Sequence, residues 1–508
     1  MVLCTVVVGT FMGTVDGTIV NVALPKIKAA FGVTLSEVQW VSTAYLLVLA
    51  VMLLLSPWLG ERLGYKQTFI LGLAVFTTFS FLCGLSWSLN SLLLFRALQG
   101  FGGGILGTVG MVLWRREFPP EKQAVPMGIY MVAIGGAVAF GPPLGGYLIE
   151  YYNWPSIFFV NVPVGVLGVA ASVVILRSKR TVHKAPPLDL LGFISLSIFL
   201  TAMLTAVAEG NASWNTGGWT SGFMITCYAI SFVGLVVFIF AELNAENPLV
   251  DLRVFRDLNF SIGAVIFICY GIALGGVAMI GPLFCQTALG YSQLQSGLVL
   301  LPLGVVLSIA SVISGSIASR ISMKWTSVVG LLIFAYGLHL ASKYGIETSR
   351  TRIMQVGMIM GLGLGTVLTP LSTLMLAWMP SHLMGPASGA YQAMRNVSMA
   401  VGVAVFQTMI TRRSIFHEAI YGQTAVGYLS NVQVAMNDLR IYLIQRSGAT
   451  REVIEAQGEA LMVVYFKLQA FISSVNDDYF LAMVIILCCI VPTLFLREVK
   501  GKVIHVTE

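Results

Sequence analysis

Along the chain, apolar runs of about twenty residues alternate with short polar or basic breaks, and fourteen such runs can be counted. A bilayer core of ~30 Å is crossed by about 20 mostly apolar residues in a helix, so each run predicts a membrane-spanning helix. The runs cover about 2–22, 40–59, 67–87, 91–113, 124–148, 156–176, 188–208, 221–241, 259–283, 296–318, 325–343, 353–377, 385–410 and 478–496. They are continuous rather than alternating, which excludes a β-barrel and predicts an all-α polytopic membrane protein. The first run has no basic n-region, contains Asp16 and ends at Pro25 without an A-x-A site. It is therefore expected to stay as a span and not to be removed as a signal peptide.

Composition agrees. Of 508 residues 57% are hydrophobic and 10% charged, with a mean hydropathy of +0.87, whereas soluble domains carry roughly 25% charged residues. An ordinary cytosolic enzyme is excluded. Seven cysteines are too sparse for a disulfide scaffold, no CxxC occurs, and Cys488-Cys489 is not a metal spacing. The net charge of +7 sits in short clusters between runs, which suits topology and anionic lipid better than a nucleic acid. An even number of spans puts both termini on one side. With that side cytoplasmic, sixteen Lys and Arg flank the spans there, against Lys26, Lys28, Lys343, Arg350 and Arg352 opposite; six more lie in 411–478. Both termini are expected in the cytoplasm. No GxxxxGK[ST] string and no cluster of His, Cys, Asp or Glu occurs, so neither an ATP-driven pump nor an enzyme is expected, and no cofactor.

An internal repeat sets the plan. Arg62 and Lys66 follow span 2, Arg320 and Lys324 follow span 10, and both pairs are 258 positions apart. Gly107-Thr108-Val109 in span 4 recurs at the same offset of 258 as Gly365-Thr366-Val367 in span 12. Spans 1–6 map onto spans 9–14: a six-helix half at 1–180, a two-helix insert at 187–243 and a second half at 259–497. Repeated halves predict a transporter with its substrate near the midplane. The outer segment 411–478 is too polar to span. Val432, Met436, Leu439 and Leu443, then Val453, Ala456 and Ala460, recur at helical spacing. They predict amphipathic helices broken near Gly448, lying on the membrane, capping the cavity or docking a partner.

An ionised group inside the bilayer costs on the order of 3 kcal/mol or more, so each one is a functional candidate. Asp16 in span 1 is the expected proton carrier, because desolvation and a nearby guanidinium pull on a carboxyl in opposite directions. Arg96 in span 4 stays charged and is expected to pair with Asp16 and release it on protonation. Glu209, at the outer end of span 7, is a further coupling candidate, though its place reads as interfacial; Glu242, after span 8, reads as solvated. Arg395 and Asn396 in span 13, with Asn21 and Gln99, are the polar candidates for the substrate cavity. Span 5 carries Gly128, Gly135, Gly136, Gly141, Pro142, Pro143, Gly145 and Gly146, suited to close packing and bending between the halves.

Several of these strings coincide with those of one family. Asp16 through Pro25 (DGTIVNVALP), Glu61-Arg62-Leu63-Gly64-Tyr65-Lys66, Leu94 through Gly100 (LFRALQG) and Gly128 through Gly146 resemble the motifs of the fourteen-span drug:proton antiporters of the major facilitator superfamily, the EmrB/QacA type. Glu61 and Tyr65 depart from that pattern, which usually has Asp and a basic residue there. The resemblance implies export of hydrophobic, commonly cationic compounds across the bacterial cytoplasmic (inner) membrane, driven by the proton motive force. It implies proton-linked roles for Asp16 and Arg96 and gating roles for Glu61, Arg62, Gly64, Gly141, Pro142, Gly145 and Gly146. It also implies a periplasmic adaptor and an outer-membrane channel as partners in some members. An uncoupled facilitator or a lipid or metabolite flippase of the same fold is the alternative.

Overall fold

Helix starts are written into the sequence as S/T-x-x-E/Q boxes. Thr34 caps the second helix with Glu37 returning the bond, and Ser292 with Gln295 does the same 258 residues later. The computed structural model describes residues 2–118, 124–176, 188–210, 214–245, 248, 252–377, 379–380, 383–427 and 451–498. The spans are α1 (Val2–Phe31), α2 (Leu35–Leu63), α3 (Tyr65–Gly84), α4 (Leu89–Arg115), α5 (Ala124–Tyr151) and α6 (Asn161–Ile175), the last entered through the short turn Ser156–Phe159. Next come α7 (Leu190–Glu209) and α8 (Gly222–Asn244). The chain continues with α9 (Leu258–Thr287), α10 (Gln293–Arg320), α11 (Met323–Ala341), α12 (Arg350–Leu376), α13 (Met384–Gly427) and α14 (Arg451–Cys488). Fourteen helices among the described residues are long and apolar enough to cross a membrane. The basic residues Lys122, Arg177, Lys179, Arg180, Lys184, Lys500 and Lys502 lie outside the described residues.

The sequence offset is also a structural one. Helices α2 and α3 start at Leu35 and Tyr65, α10 and α11 at Gln293 and Met323, 258 residues on in both cases. The starts of α1, α4 and α5 recur as α9, α12 and α13 within three residues of the same offset. Packing repeats too: α4 lies against α2 and α3, and α12 against α10 and α11. Glycines allow these approaches, since apolar burial alone does not draw helices together in lipid. A Cβ at Gly100 would lie 2.5 Å from Tyr45 O, and one at Gly104 2.5 Å from Met52 Cβ. Gly64, at the sharp turn from α2 to α3, has φ +89°, a backbone that other residues rarely adopt.

Helix α5 packs against α10 along its length. The α7–α8 pair packs on itself, with α7 touching α2 and α13, and Trp219 Nε1 donates to Thr408 Oγ1 of α13 at 3.1 Å. Glu242 is not solvated as expected: it is buried where the end of α8 closes on Gly192 of α7.

The outer segment also differs from expectation. Helix α13 runs for 44 residues and α14 for 38; at about 1.5 Å per residue each is far longer than a bilayer core of ~30 Å. Residues 411–427 and 451–477 are therefore extensions of the last two spans, packed antiparallel, and not separate surface helices. Ser414 meets Ser474 at 3.0 Å, Tyr421 meets Ser473 at 2.7 Å, and Asp477 takes His417 at 2.9 Å and Arg413 at 3.0 Å. Of the expected amphipathic positions, Val432, Met436, Leu439 and Leu443 and the break at Gly448 lie outside the described residues. Val453 and Ala456 fall on α14, and Ala460 is exposed.

Candidate functional site

Helix α1 carries Asp16 into the interior of the first six helices, where it is 0% exposed. Arg96 and Gln99 are three residues apart on α4 and so share one face. Arg96, 1% exposed, places Nη1 2.5 Å from Asp16 Oδ2 and 2.7 Å from Gln99 Oε1. Its Nε donates to Val41 O of α2 at 3.1 Å, and its guanidinium lies 4.2 Å from the centre of the Tyr45 ring. The other carboxylate oxygen, Oδ1, accepts from Gln99 Nε2 and from Asn161 Nδ2 of α6, both at 3.0 Å. Asn161 also reaches Ser80 Oγ of α3 at 3.1 Å, and that hydroxyl donates to Phe158 O at 2.9 Å. Five helices thus converge on one carboxylate.

The chemistry follows from the donors. An ionised carboxylate only accepts, whereas a protonated one must place its O–H on an acceptor. Three N–H groups face Asp16, so the arrangement matches the charged form. A proton on Oδ2 would need an acceptor at the place where Arg96 Nη1 now donates.

Gln99, expected in the substrate cavity, belongs instead to this sealed cluster, because its position three residues after Arg96 points it at Asp16. Asn21 is exposed on α1 and accepts from Ser42 Oγ of α2 at 3.0 Å. Glu209 lies far along the chain from this cluster, buried at the end of α7, where Trp214 Nε1 donates to it at 2.7 Å and Asn215 Nδ2 to its carbonyl at 3.1 Å. It closes the end of a helix and does not touch Asp16. Arg395 and Asn396 lie on α13, where Asn396 Nδ2 turns back to Gln392 O at 2.9 Å.

The loop motif sits where the halves meet. A Cβ at Gly385 of α13 would be 3.3 Å from Pro57 Cβ, 3.4 Å from Tyr65 Oη and 4.0 Å from Glu61 Oε1. Arg116 stacks on Tyr65 at 4.1 Å, so the ring that departs from the motif receives the cation. Arg62 turns outward over Trp58 at 5.1 Å. On α5, Gly141 and Gly145 face α1, where a Cβ at Gly141 would overlap Thr18 and one at Gly145 would lie 2.7 Å from Ile19 Cγ1. Gly146 faces α10, 3.0 Å from Leu294 Cα by the same measure, and Pro143 N lies 2.7 Å from a Cβ at Gly297. Pro142 lies beside Pro143 within the helix.

Sequence reasoning missed Asn161, Ser80 and Tyr45. An amide within the apolar run 156–176 was the available signal for Asn161. It also missed Asp478 on α14, fully buried with neither carboxylate oxygen hydrogen-bonded, because the last span was expected to begin there.

The profile of the Major Facilitator Superfamily matches residues 6–403. The chain is similar to the tetracenomycin C resistance and export protein of Streptomyces glaucescens, 31% identical over 411 residues (81% of this chain, 76% of that one). It is 29% identical over 457 residues to the multidrug export protein EmrB of Escherichia coli, covering 88% of each. The fatty acid resistance protein FarB of Neisseria gonorrhoeae is 27% identical over 489 residues, 96% of this chain and 94% of that one. Among solved structures, the human organic anion transporter MFSD10 superposes with a TM-score of 0.59 at 14% identity, over 96% of this chain and 98% of that one, a likeness of fold alone.

Proposed function

Since the chain belongs to the major facilitator superfamily and is a multi-pass efflux transporter, we propose that it exports hydrophobic compounds in exchange for protons, with Asp16 carrying the proton. The observation that supports this reading is the Asp16 cluster: a fully buried carboxyl that accepts from Gln99 and Asn161 on one oxygen and from the Arg96 guanidinium on the other. In alternating access, protonation at Oδ2 would free Arg96, and its release would let α1 and α4 shift against one another. The proton motive force then replaces any cofactor. The six-plus-two-plus-six plan, residence in the bacterial cytoplasmic membrane with both termini inside, and contact with membrane lipid belong to the same reading.

The relatives' names refer to tetracenomycin C, to many drugs and to fatty acids, so no single substrate carries over. The resemblance favours cationic compounds, and the charge of the substrate is the finer part of the reading. The projecting ends of α13 and α14 suit docking of a periplasmic adaptor leading to an outer-membrane channel.

The test is proton movement in everted vesicles on addition of hydrophobic compounds of either charge, comparing wild type with Asp16→Asn at equal protein level. Compound-induced proton release should be seen in wild type and be lost in Asp16→Asn. Export that persists in wild type without proton movement would favour the uncoupled facilitator or flippase instead. Full coupling in Asp16→Asn would make the carboxylate structural.

A further inference from the structure

The two repeated sets of helices differ where the first one holds its buried charge. A Cβ at Gly361 or Gly365 of α12 would meet Leu303 O or Leu307 O of α10, as one at Gly100 or Gly104 of α4 would meet Tyr45 O or Leu49 O of α2. On that register Gly357 takes the place of Arg96, Met360 that of Gln99 and Leu303 that of Tyr45. The place of the Asp16 cluster is therefore apolar in the second set, a small cavity walled by Phe284, Leu303, Tyr344, Gly357, Met360 and Tyr479. A carboxyl does stand beside this wall, but it comes from α14. Asp478, next to Tyr479, is 0% exposed, and neither of its oxygens has a hydrogen-bond partner among the described residues.

Helix α14 packs against α13, α11 and α9, with Val475, Tyr479 and Ala482 buried along it. The titratable and charged groups around Asp478 come from each of these elements. Asp477 precedes it and holds Arg413 at 3.0 Å and His417 at 2.9 Å, both of α13. Tyr344, just after α11, accepts from Asn476 Nδ2 at 2.9 Å through its carbonyl and sets its ring 5.9 Å from that of Tyr479. Cys285 of α9 lines the same cavity, and Arg352 at the start of α12 acts on Tyr344. The cation acting on Asp478 is Arg413, which already serves Asp477. A carboxylate sealed from water without a partner is far costlier than the neutral acid, so this geometry fits the protonated form.

We propose that Asp478 is a proton-operated latch at the end of the molecule from which α13 and α14 project, docked while the carboxyl holds its proton and loosened when it ionises. The latch goes beyond the exporter reading and rests on it only for which side of the membrane is sensed, the outer one. On ionisation the O–H bond breaks and the proton passes to solvent by way of Asp477, which is 32% exposed. The charge left behind cannot stay against the apolar wall. Residues 477 and 478 are about 100° apart around the helix, so a turn of α14 by that angle brings Asp478 to Arg413 in place of Asp477. The packing of α14 thus follows the pH on that face, apart from Asp16, which is buried among the first set of helices.

Two measurements on the purified full chain in nanodiscs test the latch with no transported compound and no proton gradient. Infrared difference spectra between about pH 6 and about pH 9 should show a carboxylic acid C=O band in wild type that vanishes on the alkaline side. That band should be missing in Asp478→Asn and kept in Asp16→Asn. Hydrogen exchange read by mass spectrometry over 475–486 should be at least tenfold faster in wild type than in Asp478→Asn at the alkaline pH, and equal in the two at the acid pH. Comparing proteins at one pH cancels the pH dependence of exchange itself. Asp478→Leu, which puts an apolar side chain in an apolar site, should stay protected at both and carries the test if Asp478→Asn does not fold. Absence of a band assignable to Asp478, or equal exchange of wild type and the neutral variants at the alkaline pH, overturns the proposal. A wild type that moves no protons with any compound would sink the antiport reading and leave both of these measurements unchanged.

Discussion

At the scale of single residues, the Asp16 cluster asks more of Arg96 than its charge. Nε holds Val41 O while Nη1 holds both Asp16 and Gln99, a fork that one ammonium cannot reproduce. Arg96→Lys should therefore lower proton exchange at least tenfold, about 1.4 kcal/mol, despite keeping the charge. Because the two side chains act as a unit, Arg96→Lys should cost little more once Asp16→Asn is present. Equal losses added in the double variant would show that the two act separately, and initial rates in proteoliposomes give all four corners of the cycle. Asp16 and Arg96 were legible in the sequence because a charge in an apolar run has few explanations. Their partners were not: Asn161, Ser80 and Tyr45 come from α6, α3 and α2, and only folding shows that these helices surround α1. Arg395 was legible as a candidate, but the burial of its Nη1 without a hydrogen-bond partner is a fact of packing.

At the scale of elements, glycines set how closely α5 and α10 approach. A Cβ at Gly146 would sit 3.0 Å from both Leu294 Cα and Leu294 N, where the obstacle is backbone and cannot rotate away. Gly146→Val should lower stability by about 1–3 kcal/mol, the usual cost of overpacking, and should abolish exchange by wedging the halves apart. Gly422, on the projecting part of α13, has open space around it, so Gly422→Ala should instead raise the melting temperature slightly through helix propensity. Thermal unfolding in detergent reads both, and a Gly146→Val protein as stable and active as wild type would mean the contact is not tight. Hydropathy placed all fourteen spans, and the 258-residue offset anticipated which helices start in register. It failed at 411–478 for a physical reason. Apolar content marks the bilayer, not the end of a helix, and the hydrogen-bonded backbone of α13 continues past Arg412 and Arg413 into a polar environment.

At the scale of the molecule, the two repeated sets of helices meet where Pro57 of α2 lies against Gly385 of α13 and Gln392 reaches Tyr130. The sequence put the loop motif after the second span, but it could not say that the motif's Glu61 and Tyr65 would face Gly385 of α13. In the proposed alternating access this seam opens, and a compound entering at this end passes between α2 and α13. The two Cβ positions are 3.3 Å apart, close to the roughly 3.5–4.5 Å of a disulfide. Pro57→Cys with Gly385→Cys, in a background where the exposed Cys4 and Cys488 are replaced by serine, should cross-link on mild oxidation. Exchange should stop in the oxidised protein and return on reduction, while either single variant stays active under both conditions. A cross-linked protein that still exchanged compound for protons would show that the α2–α13 seam never opens, and the route would then have to run between other helices, with the contact serving as a hinge and not as a gate.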